Sequence, residues 1–556
     1  MKKALVILLF IFISKIIFAQ VHKEYYFKFN ITNKSEIEKL SDFLSIDNVK
    51  NNTVFAFATE RNFQKFVSFG YDYILLNNTT KSHKLAAVTT IAEMQNWDRY
   101  PTYDLYVEMM ENYADTYPEI CNLINIGTTV LGRDLLALKI SDNINYEENE
   151  PEIFLSSTMH GDETLGFILT LRLIDSLVTN YSTNIDIKNI IDNTEIYINP
   201  NANPDGTYKD NNSTISDPQR FNANNIDLNR NFPDPEDGNH PDGNTWQLET
   251  EAMMNFAKNH NIVLSANFHC GAEVINYPWD TWERRHPDDD WFISISREYA
   301  DIAHANSPSD YLTSFDNGIT NGYDWYSISG GRQDYFTFFH NSREITVELS
   351  DVKHVAESSL PDYWNFNKHS LISFISESLF GIKGTVTDSI GTPLKAMIFV
   401  KNHDSIDDSS MVFTDPDIGD YHRFLEPGAY DLIASANGYK NDTVENLIVS
   451  SENVTYANFV LDTGQNTSTS IEEKIYPNPF NNELNISIYS SKNQNVEINI
   501  YKVTGERIYY SRIPITLGNT ILRIDDEINL EELPTGIYYV QIRTTDKNVA
   551  YSIIKL

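Results

Sequence analysis

Two potential metal ligands, His160 and Glu163, stand three residues apart in the chain. Residues Glu152 to Ser157 before them have the apolar pattern of a buried strand, and Leu165 to Leu177 after them has helical spacing. A tight turn, made easier by Gly161, would let an imidazole nitrogen and a carboxylate oxygen converge on one ion. The spacing alone is more typical of a solvated turn, so a metal site requires a third ligand.

The best candidate for the third ligand is His269, which ends the alternating apolar strand Ile262 to Phe268. Open α/β sheets expose their ligand-binding residues at the ends of strands. Two other histidines compete with it: His240 lies in a glycine-rich acidic loop and His286 lies beside two arginines, settings that predict surface loops. Three protein ligands with an open fourth position are typical of catalytic zinc.

A carboxylate inside a predicted core strand, Glu348, is the candidate general base. The strand Arg343 to Ser350 alternates apolar residues with polar ones, and Glu348 lies on the polar side. A buried glutamate needs a partner, so the alternatives are a structural salt bridge and a base that accepts a proton from water activated by zinc. We favour the base, which together with zinc would hydrolyse peptides.

The segment Asp227 to Asp234 places several polar groups close together, and its Arg230 could bind a carboxylate through a charge-assisted fork. An exposed loop held by salt bridges is the alternative interpretation of this segment. These candidate residues fall in short motifs, and one further polar motif, Asn199 to Gly206, lies between them. In chain order the five motifs are Thr158-Met-His-Gly-Asp-Glu163, Asn199-Pro-Asn-Ala-Asn-Pro-Asp-Gly206, Asp227-Leu-Asn-Arg-Asn-Phe-Pro-Asp234, Asn267-Phe-His269 and Thr346-Val-Glu-Leu-Ser350.

Together these motifs resemble the M14 zinc carboxypeptidases, over about residues 92–380. The resemblance implies a mixed β-sheet flanked by helices and one Zn²⁺ ion held by His160, Glu163 and His269. It also implies that Glu348 is the general base and acid, and that Asp227 orients a ligand histidine.

The same resemblance assigns the groups that would bind the substrate. Asn229 and Arg230 match the pair that holds the terminal carboxylate, and Arg220 matches the arginine that stabilises the oxyanion. Tyr326 would cap the bound side chain. Asp280, in a stretch similar to the regulatory branch of carboxypeptidases D, E, M and N, would select C-terminal Lys or Arg.

Two departures from that branch concern selectivity rather than hydrolysis. Cys270 stands where the branch commonly has glycine, and Ser350-Asp-Val replaces its Ser-Cys-Cys run. Cys270 and Cys121 are the only cysteines of the chain, so stability cannot rest on several disulfides, and their pairing stays open.

At 556 residues the chain is too long for one hydrophobic core, and its patterns change along its length. Residues 25–76 alternate three predicted strands with two helices, an α+β pattern, whereas helical spacing disappears after Gly381. The fold class we predict is an α/β catalytic domain followed by two all-β sandwich domains, preceded by a small α+β pro-region. The predicted bounds are a signal peptide at 1–19, a propeptide-like region at 20–91, the catalytic domain at 92–380, a regulatory β-sandwich at 381–461, a linker at 462–472 and a sorting β-sandwich at 473–556.

The last two domains also have family resemblances. Gly384 to Asp388 and Pro427 to Asp431 are similar to the transthyretin-like domain of the same carboxypeptidase branch. Tyr476 to Phe480, Thr535 to Tyr538 and a basic residue at Lys555 are similar to a type IX secretion sorting domain. This resemblance implies that the type IX machinery is a partner and moves the protein through the outer membrane.

Composition and the N-terminus agree with export. A net charge of −36 excludes nucleic acid as a partner, since phosphates would be repelled, and leaves cationic peptides as plausible ones. Residues 1–19 have the charged, apolar and small-residue parts of a secretory signal. No later segment has the length and apolarity of a membrane span, so the mature protein is predicted to be secreted or held at the cell surface without a transmembrane helix.

The sequence therefore predicts a secreted zinc metallocarboxypeptidase that removes C-terminal residues, with a preference for Lys and Arg. Two alternatives remain: an M14-type hydrolase of cell-wall peptides, and an inactive binding or adhesion protein. The first would keep the zinc site and Glu348 but not the preference for basic ends. The second would have a peptidase-like domain without activity and would release no product.

Overall fold

A computed structural model describes residues 24–464 and 471–555, except residues 42, 51, 77–86, 483, 491, 506, 517, 525–527, 529, 531–532 and 545–547. The predicted signal peptide, the connector at residues 77–86 that follows β4 of the N-terminal unit, and the centre of the predicted linker lie outside the described residues. Within the described part of the chain, no helix combines the length and apolarity needed to cross a membrane.

The N-terminal unit is a four-stranded antiparallel sheet with two helices, in the strand order β2-β3-β1-β4. Its elements are β1 Glu24–Asn30, α1 Ser35–Ser41, β2 Ser45–Lys50, β3 Thr53–Thr59, α2 Glu60–Ser68 and β4 Tyr73–Leu75. Strand β2 was not predicted, because Ser45, Asp47 and Asn48 interrupt its apolar pattern although all three are buried. The buried polar residues of β2 must therefore face polar partners elsewhere.

The catalytic domain has an eight-stranded mixed sheet in the order β11-β10-β12-β9-β7-β8-β6-β5. Its strands are β5 Cys121–Thr128, β6 Asp134–Ile140, β7 Glu152–Ser157, β8 Glu195–Asn199, β9 Ile262–His269, β10 Ala272–Tyr277, β11 Ile319–Asn321 and β12 Arg343–Ser350. Its helices are α3 Ile91–Met94, α4 Tyr103–Thr116, α5 Leu165–Asn180, α6 Ile185–Ile191, α7 Pro204–Thr207, α8 Leu248–Lys258, α9 Asp289–Ala305, α10 Ser314–Asn317, α11 Gly322–Trp325, α12 Arg332–His340 and α13 Leu360–Ser376. The α/β prediction is confirmed.

The centre of this sheet is parallel, with β12, β9, β7 and β8 side by side. Every residue of β7, β8 and β9 is buried, as expected for parallel strands covered by helices on both faces. The main hydrophobic core packs around these strands and contains residues from Val88 to Phe424 but none from the N-terminal unit. The catalytic domain thus has a core of its own.

Two all-β domains follow, as predicted, and each pairs two sheets around one core. The first contains β13 Gly381–Asp388, β14 Ala396–Val400, β15 Val412–Phe413, β16 Asp420–Arg423, β17 Gly428–Ala436, β18 Asp442–Val449, β19 Val454–Tyr456 and β20 Phe459–Leu461. The second contains β21 Ile471–Tyr476, β22 Asn485–Ser490, β23 Gln494–Lys502, β24 Arg507–Ile515, β25 Gly518–Arg523, β26 Gly536–Arg543 and β27 Asn548–Lys555. Cys121 and Cys270 are both free thiols in the interior.

Candidate metal centre and substrate cleft

The three predicted metal ligands meet at the carboxyl ends of the parallel strands. His160 and Glu163 lie on the turn between β7 and α5, and His269 is the last residue of the neighbouring strand β9. The Nδ1 atoms of the two histidines are 3.1 Å apart. One Glu163 oxygen is 3.0 Å from His160 Nδ1 and the other is 2.8 Å from His269 Nδ1. All three side chains are buried, so the three ligand atoms converge on one enclosed point.

The outer nitrogens of the two histidines are held by other side chains. His160 Nε2 is 3.0 Å from Asp227 Oδ1, the partner predicted for it, and His269 Nε2 is 2.7 Å from the amide of Asn267. A ring that binds a metal through Nδ1 has its proton on Nε2, which needs an acceptor. The Asn267 amide oxygen has no hydrogen-bond partner in the described part of the chain and can serve as that acceptor after a flip of the amide.

This donor set fits zinc, which prefers imidazole nitrogen and carboxylate oxygen. When Asp227 and Asn267 hold the ring protons on Nε2, neither of the facing Nδ1 atoms has a proton to donate to the other, whereas a cation satisfies both. Burial lowers the pKa of His269 to about 4, which keeps the ring neutral as a metal ligand requires. Sequence reasoning quoted Asn267 within a motif but did not assign it this supporting position.

Glu348 lies beside the metal ligands on the next strand. It pairs in register with His269 across the parallel strands β12 and β9. Burial, followed by the neighbouring carboxylate of Glu163, raises the pKa of Glu348 well above its usual value. Its Oε2 atom is buried and has no hydrogen-bond partner among the residues that the structure describes. A carboxylate in this setting is the expected type of group for proton transfer.

The predicted substrate-binding residues line the same cleft. Arg220 is buried and its Nε donates to Asp227 Oδ2 at 3.0 Å, while Nη1 lies 3.3 Å from Glu163 Oε1. Burial lowers the pKa of Arg220, but the carboxylates of Asp227 and Glu163 outweigh it, and the net shift is upward. The guanidinium therefore stays charged beside the candidate metal site.

Asp280 lies at the other side of the cleft, where its Oδ1 accepts from Asn276 Nδ2 at 3.0 Å and from Gln333 Nε2 at 3.1 Å. Burial raises the pKa of Asp280 to about 6. Gly322 packs against this carboxylate, and a Cβ built there would be only 1.8 Å from Asp280 Oδ1. The backbone of α11 thus closes the space next to Asp280, and Gln333, which holds the Asp280 carboxylate from outside the cleft lining, is a residue that sequence reasoning missed.

Strand β2 of the N-terminal unit fills the cleft. Arg230 Nη2 donates to the carbonyl of Ile46 at 3.1 Å, and Arg220 Nε donates to Ser45 Oγ at 2.5 Å. The Tyr326 hydroxyl is 3.5 Å from the same Ile46 carbonyl. The cavity that remains among the site residues is about 20 Å³, roughly room for one water.

Asp47 of the same strand reaches a lysine that sequence reasoning did not identify. Lys353 Nζ lies 2.6 Å from Asp47 Oδ1 and 2.5 Å from Glu163 Oε1. Arg220 Nη1 is 3.6 Å from the same Asp47 oxygen. The buried polar residues of β2 therefore find their partners at the candidate catalytic site, more than 100 positions away in the chain.

A second, partly buried group of potential metal ligands, Asp288, His403 and Asp404, joins the catalytic domain to the first β-sandwich. Here the charges already have partners. Arg423 Nη1 and Nη2 donate to the two oxygens of Asp288 at 2.9 and 2.7 Å, and Arg343 Nε donates to Oδ2 at 2.9 Å. We name this set of five residues the Asp288 network.

The prediction that His286 belongs to a surface loop is wrong. Its ring is buried, with its centroid 5.1 Å from that of Trp279 and 5.3 Å from that of Phe292, and its Nδ1 accepts from the backbone N–H of Asp288. Burial lowers its pKa to about 3. The two charged arginines before it suggested exposure, but the aromatic residues that cover it come from other elements. His240, the other competing histidine, is half-buried and outside the cleft.

Three family profiles match the chain in succession: "Zinc carboxypeptidase" at residues 106–370, "Carboxypeptidase regulatory-like domain" at 381–462 and "Secretion system C-terminal sorting domain" at 474–555. These matches agree with the order in which the three resemblances occur in the sequence.

Among curated proteins, carboxypeptidase D of Mus musculus is 38% identical over 379 residues, which are 65% of this chain and 26% of that protein. Carboxypeptidase M of Mus musculus is 36% identical over 362 residues, which are 61% of this chain and 79% of that protein. The chain thus matches only about a quarter of the length of carboxypeptidase D. The solved structure of carboxypeptidase A from Helicoverpa armigera superposes with a TM-score of 0.49 at 18% identity, over 64% of this chain and 98% of that one.

Proposed function

The chain belongs to the M14 zinc carboxypeptidase family, and from this premise we propose that it hydrolyses the last peptide bond of peptides and proteins, with a preference for C-terminal Lys or Arg. The observation that supports it most is the convergence of His160, Glu163 and His269 on one point beside Glu348. Zinc held by the first three would supply Lewis-acid chemistry, which polarises a carbonyl and lowers the pKa of water.

The chain's own residues would do the rest. Arg230 and Asn229 hold the terminal carboxylate, so only the last peptide bond reaches the site. Glu348 takes the proton of the attacking water and returns it to the leaving amine. Arg220, charged and already directed toward the metal ligands, donates hydrogen bonds to the oxyanion that develops on the scissile carbonyl.

Side-chain selection would depend on Asp280 and Tyr326. A carboxylate buried at the end of the pocket stabilises a bound cation and penalises an apolar side chain. Its present partners, Asn276 and Gln333, are neutral, so a lysine or arginine of the substrate would be its first cationic hydrogen-bond partner among the described contacts. Tyr326 would cover the bound residue once the cleft is open.

We also propose that the N-terminal unit is a propeptide that keeps the enzyme latent. Residues of β2 occupy the groups that would bind substrate: Arg230 holds Ile46, Arg220 holds Ser45, and Lys353 holds Asp47. Cutting the connector at 77–86 and removing the unit would free all three. The expected result is that activity rises on cleavage, and an uncut chain that is fully active would contradict latency.

The C-terminal domain supports a further part of the proposal, export by the type IX secretion route to the cell surface or the medium. Deletion of residues 474–555 should leave the protein inside the cell envelope. Release of the truncated protein at the normal level would contradict this role.

One assay tests the enzymatic proposal against its alternatives. The connector-cleaved protein, supplied with zinc, is offered peptides that end in Arg, Lys, Phe or a diamino acid, and mass spectrometry follows the products. Loss of one residue from the Arg and Lys peptides is expected. Cleavage of the diamino-acid peptide alone would favour a cell-wall hydrolase, and release of no product from any peptide would favour a binding protein.

A further inference from the structure

We infer that Lys353, next to Arg220, forms an anion-binding subsite that takes the side-chain carboxylate of an acidic penultimate residue of the substrate. The inference rests on the proposed function, because it concerns which peptide ends the enzyme cleaves best. The substrates it selects end in Asp or Glu followed by a basic residue.

The position of Lys353 is fixed by the catalytic domain itself. The side chain is 9% exposed, and the backbone carbonyl of Lys353 accepts from the N–H of Thr164 at 3.2 Å. Its ammonium group passes close to Gly271, where an added Cβ would lie 3.6 Å from Nζ. Removal of the N-terminal unit takes Asp47 and the Phe57 ring away from the ammonium group, while the Thr164 hydrogen bond still holds the backbone of Lys353 on the wall of the cleft.

The subsite already holds an anion in the full chain. Asp47 Oδ1 lies 2.6 Å from Lys353 Nζ and 3.6 Å from Arg220 Nη1. The second Asp47 oxygen accepts a hydrogen bond from the Tyr26 hydroxyl at 3.0 Å, a group that belongs to the N-terminal unit. Within the described contacts, the catalytic domain thus supplies only cations to this carboxylate, which is the expected environment for an acidic ligand.

Opening the cleft changes the charge balance around Lys353. Asp47 leaves with the N-terminal unit, and Glu163, the other carboxylate in contact with Nζ, is a ligand for the metal. Asp162 is close enough to act electrostatically, but neither of its oxygens makes a hydrogen bond with a described group. A buried cation that has lost one of its two carboxylate partners favours a ligand that replaces it.

Residues of β2 that contact Arg230 and Lys353 indicate how far apart these two groups lie along a bound chain. The carbonyl of Ile46 accepts a hydrogen bond from Arg230, the residue that would hold the terminal carboxylate of a substrate. The side chain of the next residue, Asp47, contacts Lys353. Adjacent residues are about 3.8 Å apart between Cα atoms. A substrate leaves Arg230 in the opposite chain direction, because its penultimate residue precedes the terminal one whereas Asp47 follows Ile46. What β2 supplies is the distance: Lys353 lies within reach of a side chain one residue away from the residue that contacts Arg230.

The test uses the full chain cut with trypsin at Lys81 or Lys84 and separated from residues 24–76 by size exclusion. Acetylated tetrapeptides that differ only in the penultimate residue, ending in Glu-Arg, Gln-Arg, Ala-Arg or Lys-Arg, are compared by kcat/KM. The charged hydrogen bond predicts about a tenfold preference for Glu-Arg over Gln-Arg, with Lys-Arg the poorest substrate.

The variants then assign the preference to one residue. In Lys353→Met the ratio of kcat/KM for the Glu-Arg peptide over the Gln-Arg peptide should fall to about one. Lys353→Arg should keep most of the wild-type ratio. The control Lys368→Met, which changes a half-buried lysine on a helix, should keep the whole ratio. A wild-type ratio near one, or an unchanged ratio in Lys353→Met, overturns the inference. If Lys353→Met does not fold, the wild-type panel and Lys353→Arg still decide the question. Failure to cleave all four peptides would instead contradict the proposed function.

Discussion

Two groups of acids and histidines can be compared directly: the buried metal centre at His160, Glu163 and His269, and the partly buried Asp288 network between two domains. Both bring potential ligand atoms within 4.8 Å of one another. In the network, two arginines donate to the central carboxylate, so its charge is already balanced. At the metal centre, two imidazole nitrogens face each other at 3.1 Å with one carboxylate between them.

The comparison shows that proximity of ligand atoms does not identify a metal site. What distinguishes the two groups is whether the ligand atoms already have donors. An arginine fork satisfies a carboxylate through its hydrogen bonds, whereas two Nδ1 atoms whose ring protons are on Nε2 offer two lone pairs to a cation. Variants of the two groups should therefore differ in zinc content and in stability.

The largest effect is expected from loss of a metal ligand. His269→Ala removes one of the two facing nitrogens, so zinc content measured by plasma mass spectrometry should fall from one ion per chain to almost none, with loss of activity. Asp288→Asn is the matched control and should keep its zinc. Zinc retained in His269→Ala, or lost in Asp288→Asn with the fold intact, would contradict the assignment of zinc to His160, Glu163 and His269.

The next largest effect separates metal binding from proton transfer. Glu348→Gln removes the predicted base but none of the converging ligand atoms, so the variant should bind zinc normally while kcat falls on the order of a thousandfold. Zinc content and steady-state kinetics on one Arg-terminated peptide provide the measurement. A fall of less than tenfold would show that Glu348 is not the base.

The Asp288 network should respond in stability rather than in metal binding. Arg423→Met leaves Asp288 and Asp404 buried with one fewer cation, so the free energy of unfolding should fall by about 3 kcal/mol. Urea denaturation measures this, and Lys401→Met, which breaks an exposed ion pair, should cost less than about 1 kcal/mol. A change in zinc content in Arg423→Met would mean that the network does take part in metal binding.

The smallest effect is on selectivity. Asp280→Ala removes the buried carboxylate from the pocket, so the ratio of kcat/KM for Arg-terminated over Phe-terminated peptides should fall about tenfold, with turnover retained. Asp280→Glu, which keeps the charge, is the control. An unchanged ratio in Asp280→Ala would refute the pocket assignment.

The sequence predicts the ligand set because strand, turn and helix patterns around His160 and His269 are local. It also predicts the α/β catalytic domain and the two β-sandwiches, since alternation and spacing are local properties too. It gives the family resemblance through several short motifs. Their spatial convergence follows from the parallel order of β7, β9 and β12, which places three strand ends at one edge of the sheet.

The parts that sequence reasoning missed depend on long-range contacts. Strand β2 lacks an alternating pattern because Ser45 and Asp47 are buried against polar groups of the catalytic domain. Lys353 has no distinctive sequence context. Only its contacts with Asp47 and Glu163 place it at the candidate site. His286 was misplaced for the same reason, since the rings that bury it are contributed by separate elements.

The central claim is that zinc binds between His160, Glu163 and His269 and not at the Asp288 network. Anomalous diffraction measured above and below the zinc absorption edge, on crystals grown with one equivalent of zinc, tests it most directly. We expect a single strong anomalous peak between the Nδ1 atoms of His160 and His269 and the Glu163 carboxylate. A peak at the Asp288 network, or none at the three predicted ligands, would contradict it.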